Sequence, residues 1–440
     1  MQRILMDKLI KWKNAPSRKP LLLHGIRRCG KTYLLKEFGA RHFKNVLYCD
    51  FEERKGLRDL FTQDLEPHRL IKDLSIYYET DITPGETLII FDEVCFCKYA
   101  LDALKYFCDD APEFYIVSAS SYSDAAFQKG ISIPAEKVEE MTLFPLNFFE
   151  FLGAQKPMLA GHLKESTPDG FALSKFRQTL EEKYLEFQLI GGMPEVVSNW
   201  LETKSIEAVE SLQLQIIRGI ENDFTKYAPM SLFPKLIAIW NSIPAQLVKH
   251  NSKFMFSHVK HSWRARHLED ALYWLIRAGL VYKVEHIEKP DLPLSGYANK
   301  THFKLYMCDV GLLRRVGQIP AAVVLDKAER ENRNIKSSFA ENIVCCDLKQ
   351  IYEQALFYWS AEKPGRAEVD FIFQDGNDII PVKVKMGRAG RTRALSQYRS
   401  RFSPKKSVLT SMDSDKESVL PLYAFSNLEK WLQSKSDNAV

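Results

Sequence analysis

Four short apolar runs mark the first third of the chain: Pro20-Leu21-Leu22-Leu23-His24-Gly25, Asn45 to Phe51, Thr87 to Glu93 and Phe114 to Ser121. Uninterrupted apolar runs of this length read as buried strands rather than as strands wet on one face. Between them the spacing turns helical. A pattern begins at Tyr33-Leu34-Leu35-Lys36-Glu37-Phe38; residues 58–80 carry an irregular stripe from Leu57 to Leu74, and Tyr99 to Asp110 reads as a helix. Strands alternating with helices predict an α/β domain. Met1 to Lys8 reads as a short amphipathic helix.

The pattern then changes. Residues 160–230 are mostly helical, broken by Gly191-Gly192-Met193-Pro194, which reads as a tight turn between helices. Leu236, Ile237, Ile239 and Trp240 mark one helix, Arg264 to Ala278 a second, and Gly279 to Val284 a strand. Helix, helix, glycine, strand is a winged-helix pattern. Further on, a helix over Phe339 to Ile351 precedes strands at Leu356 to Trp359, Glu368 to Phe373 and Ile379 to Lys385. The tail from Ser434 to Val440 reads as disordered. These shifts divide the chain into 1–155, a helical lid at 156–230, a winged-helix module at 231–300 and an α/β domain at 301–440.

With 440 residues, of which 45% are hydrophobic, several cores are expected. The net charge of +5 is too mild to name a partner. No apolar run reaches the roughly 18–20 residues of a membrane span, so no membrane partner is expected. The N-terminus lacks the apolar core and cleavage site of a signal peptide. The eight cysteines sit inside predicted elements rather than in a spaced framework. Reduced thiols and a cytoplasmic location are the expectation. Cys95-Phe96-Cys97 has no second pair at zinc spacing.

The first strand ends at Gly25, and Gly25-x-x-x-x-Gly30-Lys31-Thr32 leads into the helix that follows. Strand, glycine loop, Gly-Lys-Thr and helix form the context of a phosphate-binding P-loop. Glycines let backbone N–H groups close around phosphate, and the helix N-terminus adds positive charge. Gly25, Ile26, Arg27, Arg28, Cys29, Gly30, Lys31, Thr32 and Tyr33 are therefore the candidate ATP-binding residues. Lys31 reaches the β- and γ-phosphates, and the Thr32 hydroxyl ligates Mg²⁺. About 60 residues later, the strand Thr87 to Phe91 ends in Asp92-Glu93. Asp92 is placed to hold Mg²⁺ and Glu93 to orient and deprotonate a water. The fourth strand runs into Ser118, Ser120 and Ser121; Ser118 or Ser120 is the candidate sensor of the γ-phosphate, with a plain serine-rich loop as the alternative.

Several further segments carry a resemblance. They are Ile133 to Val138 with Met141 to Leu152, Ile190 to Val197, Lys304 to Leu313, Phe339-Ala340-Glu341-Asn342 and Ala367 to Ile372. Together they span the chain, which resembles the bacterial and archaeal ATPases with an AAA-type N-terminal domain and a C-terminal DUF4143 domain. The resemblance implies an α/β fold: a P-loop NTPase of AAA type with helical lid, winged-helix module and C-terminal nuclease-like domain. Two departures stand out: Ala119-Ser120 where that family has Gly-Ser, and Glu136 where it has Gly before the basic residue, here Lys137. Lys137 is the residue left to offer positive charge to a phosphate, across a subunit boundary in a homo-oligomer.

The C-terminal strands and helix resemble the PD-(D/E)XK nuclease core. Its pattern is met by Glu341, Asp370 and Lys385, but Lys383 replaces the carboxylate expected on the third strand. A cation there repels Mg²⁺ and removes a hard oxygen ligand, so a degenerate site is expected. From 383 to 406 the segment has no acidic residue and carries Lys383, Lys385, Arg388, Arg391, Arg393, Arg399, Arg401, Lys405 and Lys406, interleaved with Tyr398 and Phe402. The winged-helix stretch 249–267 holds Lys249, Lys253, Lys260, Arg264 and Arg266 among four histidines. Both stretches suit the phosphates of double-stranded DNA; a solvated basic face is the alternative for each. The reading is an Mg²⁺-dependent ATPase coupling its nucleotide state to a module that contacts DNA or protein. An ATP-gated metal-dependent DNA endonuclease and a non-hydrolysing nucleotide switch are its alternatives.

Overall fold

A computed structural model describes residues 1–121, 134, 136–166, 175–249, 253–325, 332–361, 367–388, 392–413 and 418–437. Its strands are β1 (Leu21–Gly25), β2 (Asn45–Asp50), β3 (Thr87–Asp92), β4 (Tyr115–Ser121), β5 (Glu139–Thr142), β6 (Val281–Ile287), β7 (Ala298–Met307), β8 (Leu356–Ser360), β9 (Glu368–Asp375), β10 (Asp378–Arg388), β11 (Val408–Asp413) and β12 (Leu420–Pro421).

The first five strands form one sheet in the order β2-β3-β4-β1-β5, with every neighbouring pair parallel. The apolar runs explain why both faces are covered. Leu21 and Leu23 of β1, with Leu88 and Ile90 of β3, join one core; Leu22, Ile89 and Phe91 join the other. Period-two alternation sends successive apolar side chains to opposite faces, so a run without polar interruption needs a helix layer on each side. Helices Lys31–His42 and Lys98–Asp110 supply buried leucines and phenylalanines to these two cores. β5 lacks an apolar run, being Glu-Glu-Met-Thr, and is held as a strand by its pairing with β1. Pattern alone does not reveal such an edge strand.

The remaining strands form a mixed seven-stranded sheet in the order β12-β11-β10-β9-β8-β6-β7. β6 and β7 are antiparallel, and β6 pairs in parallel with β8, Val284 opposite Leu356. The strand expected from Gly279 to Val284 is β6, and this pairing makes it continuous with the sheet of the last α/β unit. The boundary placed at residue 300 falls inside β7.

Between the sheets, helix Ile206–Tyr227 is the long connector. Its Phe224 packs edge-on against Trp240 and Trp274 of the helices that follow. The turn at Gly191-Gly192 is a structural junction. The Gly192 N–H donates to Asp309 at 2.5 Å, and the Gly192 carbonyl accepts from Leu146 N–H at 2.7 Å. A Cβ at Gly192 would lie 1.9 Å from the Leu146 oxygen, which explains the glycine. Helix Leu428–Asp437 runs through the start of the segment expected to be disordered, since Leu428, Trp431 and Leu432 anchor it in the core.

Candidate nucleotide-binding site

β1 ends on the carboxyl edge of the sheet between β4 and β5, the place where parallel α/β sheets bind ligands. The loop after it turns through two left-handed residues, Arg28 at φ 64° and Gly30 at φ 94°. Gly30 carries the conformation that a Cβ disfavours. Helix Lys31–His42 begins there with no side-chain cap on its first amides. Uncapped amides at a helix start are donors ready for an anion.

Lys31 is buried, its Nζ donating to the carbonyls of Gly25 at 3.1 Å and Ile26 at 3.2 Å and to Ser121 Oγ at 3.3 Å. The ammonium is thus folded across the mouth of the loop. Thr32 Oγ1 donates to Asp92 Oδ2 at 2.6 Å, and Glu93 N–H donates to Asp92 Oδ1 at 3.1 Å. Tyr48 OH donates to the same Asp92 Oδ2 at 2.8 Å. Burial, then the charges of Asp92 and Asp50, push the Tyr48 pKa up, so the phenol stays a donor. Glu93 lies at φ 47° just past β3. Its Oε1 accepts from Ser121 Oγ at 3.2 Å, while its Oε2 is buried without a hydrogen-bond partner among the described residues. A buried carboxylate oxygen without a donor suits a water that must be held and deprotonated. Thr32 and Asp92 present hard oxygens of the kind Mg²⁺ takes, so the residues fit the ion.

The serines at the end of β4 divide. Ser120 Oγ meets Cys95 Sγ at 2.9 Å and the Ser121 carbonyl at 3.1 Å, on the side away from Lys31. Ser118 Oγ is buried without a partner among the described residues. Ser121, opposite Gly25 in register, is the serine that touches both Lys31 and Glu93. The parity follows from the β1–β4 register, which the sequence does not display.

The other loop residues divide. Cys29 is buried, and burial raises its thiol pKa. Arg28 pairs with Glu195 at 3.6 Å near the surface, and Tyr33 stands 60% exposed. Arg27 crosses to helix Ile206–Tyr227, donating to Tyr227 OH at 2.8 Å and to Asp223 at 3.4 Å, and it also donates to Glu52 at 3.3 Å. Lys137 is paired with Asp109 at 2.6 Å.

One residue outside the expected set holds the loop from behind. Arg3 is buried; its Nε bonds Glu150 Oε1 at 3.0 Å and its Nη1 donates to the Cys29 carbonyl at 3.0 Å. Glu150 closes a capping box with Asn147. That spacing, Asn147-x-x-Glu150, is the one sequence signal for this clamp.

In the C-terminal sheet, the expected degenerate site is a charge cluster. Lys383 Nζ lies 2.8 Å from Asp370 Oδ1, and Val384 N–H donates to the other Asp370 oxygen at 2.7 Å. Lys304, wholly buried on β7, lies 2.5 Å from Glu368 and 3.9 Å from Glu341. Tyr306 OH donates to Glu341 at 3.1 Å. Lys385 bonds to neither carboxylate among the described residues; burial and the neighbouring charges of Lys383 and Arg333 lower its pKa. Two ammonium groups therefore sit where the motif would gather a metal. Among the described residues no group of three His, Cys, Asp or Glu is set to hold one.

The cluster has one carboxylate more than it has lysines. Burial pushes Glu341 up to about 7 although Lys304 opposes the shift. Its unfolded value is about 4.3, so the folded state takes up the proton more readily. Stability is then greatest below the unfolded value and falls as pH rises through 7. Glu341→Gln is expected to flatten this dependence and to compare more favourably with the native chain at pH 8 than at pH 5. Denaturant melts at pH 5 and pH 8 check it.

The basic stretches also divide. Lys249, Lys260, Arg264 and Arg266 are exposed, with no carboxylate partner among the described residues. His250 and Arg391 lie outside the described residues. Arg393, Arg399 and Arg401 are exposed on helix Arg393–Phe402, but Tyr398 is buried against Trp359 at 5.5 Å and Lys383 is engaged as above. The aromatic there serves the core, because helical spacing puts it on the inner face with Ala394 and Leu395.

Comparison with known families matches residues 17–152 to an AAA domain. It matches residues 181–323 to a domain of unknown function, DUF8612, and residues 336–425 to a domain of unknown function, DUF4143. The middle match runs across the boundaries expected at 230 and 300. No curated protein matches. Among solved structures, the Walker-type ATPase PABY2304 of Pyrococcus abyssi is 16% identical, covering 72% of this chain and 95% of its own at a TM-score of 0.45. The Orc1 protein of Aeropyrum pernix, solved in complex with DNA, is 13% identical over 74% of this chain and 95% of its own at 0.29. Protein VC1899 of Vibrio cholerae is 12% identical over 95% of this chain and 98% of its own at 0.20. No helix among the described residues is long and apolar enough to cross a membrane. With the P-loop, the Asp92-Glu93 strand end and the two matches in their expected order, the chain carries an AAA domain followed by a C-terminal DUF4143 domain.

Proposed function

We propose that this protein hydrolyses ATP with Mg²⁺ and passes its nucleotide state to the C-terminal half, which contacts DNA. The observation that carries the hydrolysis is the geometry at Glu93: an unpartnered buried Oε2, with Oε1 held by the serine that also holds Lys31. Mg²⁺, when bound, neutralises and orients the phosphates. Thr32 and Asp92 would hold it. Lys31 exchanges the loop carbonyls for phosphate oxygens and takes up the charge that builds during transfer. Glu93 accepts a proton from the attacking water; the water oxygen bonds to the γ-phosphorus as the bond to the ADP oxygen breaks.

Coupling runs through Arg27. Its guanidinium joins the phosphate loop to Asp223 and Tyr227 of the connector helix. Phosphate oxygens compete with those partners for the same cation, so the hold on the helix depends on the nucleotide. The exposed Lys249, Lys260, Arg264 and Arg266 supply the charge for DNA phosphates.

ATP turnover with and without double-stranded DNA tests the reading. Stimulation of turnover by DNA, and a smaller fold-stimulation in Arg27→Ala when each protein is compared with its own basal rate, is the expected result. Turnover indifferent to DNA points to a protein partner instead. Nucleotide binding without turnover points to a switch. Plasmid nicking that needs Mg²⁺ and is abolished by Asp370→Ala would favour the endonuclease.

A further inference from the structure

We propose that Tyr48 is a positioning residue for the metal site, fixing the carboxylate of Asp92 from the neighbouring strand; the inference rests on the Mg²⁺·ATP reading above. β2 and β3 run in parallel register with Asp50 opposite Asp92. Tyr48, two residues before Asp50 on the same face, places its hydroxyl 2.8 Å from Asp92 Oδ2 and 3.2 Å from Asp50 Oδ2. The phenol thereby bridges two carboxylates. Asp92 Oδ2 also accepts from Thr32 at 2.6 Å, and Asp92 Oδ1 from Glu93 N–H at 3.1 Å. Three donors therefore set the orientation of one carboxylate. Two of them come from residues with their own part in the chemistry. Tyr48 comes from outside the P-loop and the Asp-Glu strand end, and acts only through Asp92.

The ring is itself held. Lys36 Nζ, from the helix that begins at Lys31, lies 3.5 Å from the ring centroid. Asp50, the second acceptor, is anchored by the N–H groups of Glu52 and Glu53, each at 2.9 Å from Oδ1. Removing the hydroxyl leaves two carboxylates side by side with nothing between them. Asp92 then turns away from Asp50, and its oxygen leaves the place where Thr32 would share a cation with it. Loss of a hydrogen-bond partner of this kind typically costs a metal site about 10–100-fold in affinity.

Tyr48→Phe removes one oxygen and tests this. Mn²⁺ is the probe, bound with a non-hydrolysable ATP analogue and followed by electron paramagnetic resonance. Mn²⁺ binding to the nucleotide complex is expected to weaken roughly tenfold. Analogue binding in EDTA and the melting temperature are expected to stay as in the native chain, which separates positioning from a structural role. A native chain that binds Mn²⁺ with the analogue, beside a Tyr48→Phe variant that binds it equally or more tightly, overturns this inference alone. A native chain that binds neither analogue nor Mn²⁺ overturns the P-loop reading and this inference with it.

Discussion

Glu93→Gln is expected to cut ATP turnover by roughly a thousandfold, within the range a general base supplies, while ATP still binds. The substitution is nearly isosteric. Its Oε1 keeps the hydrogen bond from Ser121, so the side chain stays in place. What changes is the buried Oε2, which becomes an amide NH₂ and donates where it accepted. The water loses its proton acceptor, and Lys31 and Thr32 are untouched. Phosphate release against ATP concentration, with binding of a fluorescent ATP analogue alongside, measures both quantities. Loss of binding together with turnover would show that Glu93 builds the site rather than works in it.

Arg3→Met is expected to destabilise the protein by about 3–5 kcal/mol, the cost of breaking a buried ion pair from one side. Arg3 and Glu150 have side chains only 4% and 2% exposed, so neither charge has water to fall back on. Glu150 would be left as a buried charge held only by the N–H groups of Ile4 and Asn147. The Cys29 carbonyl would lose its donor as well. The back of the phosphate loop is then free to move, and ATP affinity should fall in the fraction that remains folded. Replacing both partners, as Arg3→Met with Glu150→Gln, is expected to recover much of the stability, since no unpaired charge remains. Urea melts of the single and double variants decide this; a single variant as stable as the native chain would show that the pair contributes nothing.

What the sequence conveyed follows from how far apart the interacting residues lie. The P-loop is eight contiguous residues between a strand and a helix, so Gly25, Gly30, Lys31 and Thr32 were legible together. Asp92-Glu93 was legible because it ends an apolar strand at the right distance. Ser121 was not, because Ser118, Ser120 and Ser121 look alike until register places Ser121 opposite Gly25. Arg3 and Glu150 are 147 residues apart, and only the capping spacing at Asn147 hinted that Glu150 was structural. The replacement of a carboxylate by Lys383 was visible, yet its companion Lys304 lies on another strand, and the segment Lys304 to Leu313 does not tell which carboxylates it meets. The strand β6 was legible after its helix, but a local pattern does not say which sheet a strand joins. Tyr398 sat among basic residues in the chain and in the core in space.

The central claim is that Lys31, Thr32, Asp92 and Glu93 form one Mg²⁺-dependent ATP-hydrolysing site. Phosphate release from ATP by the purified protein, in Mg²⁺ and in EDTA, beside Lys31→Ala, tests it most directly. The account predicts steady release in Mg²⁺, none in EDTA, and none from Lys31→Ala in either. Release that persists in Lys31→Ala, or a native protein that binds Mg²⁺·ATP and never turns it over, would contradict it.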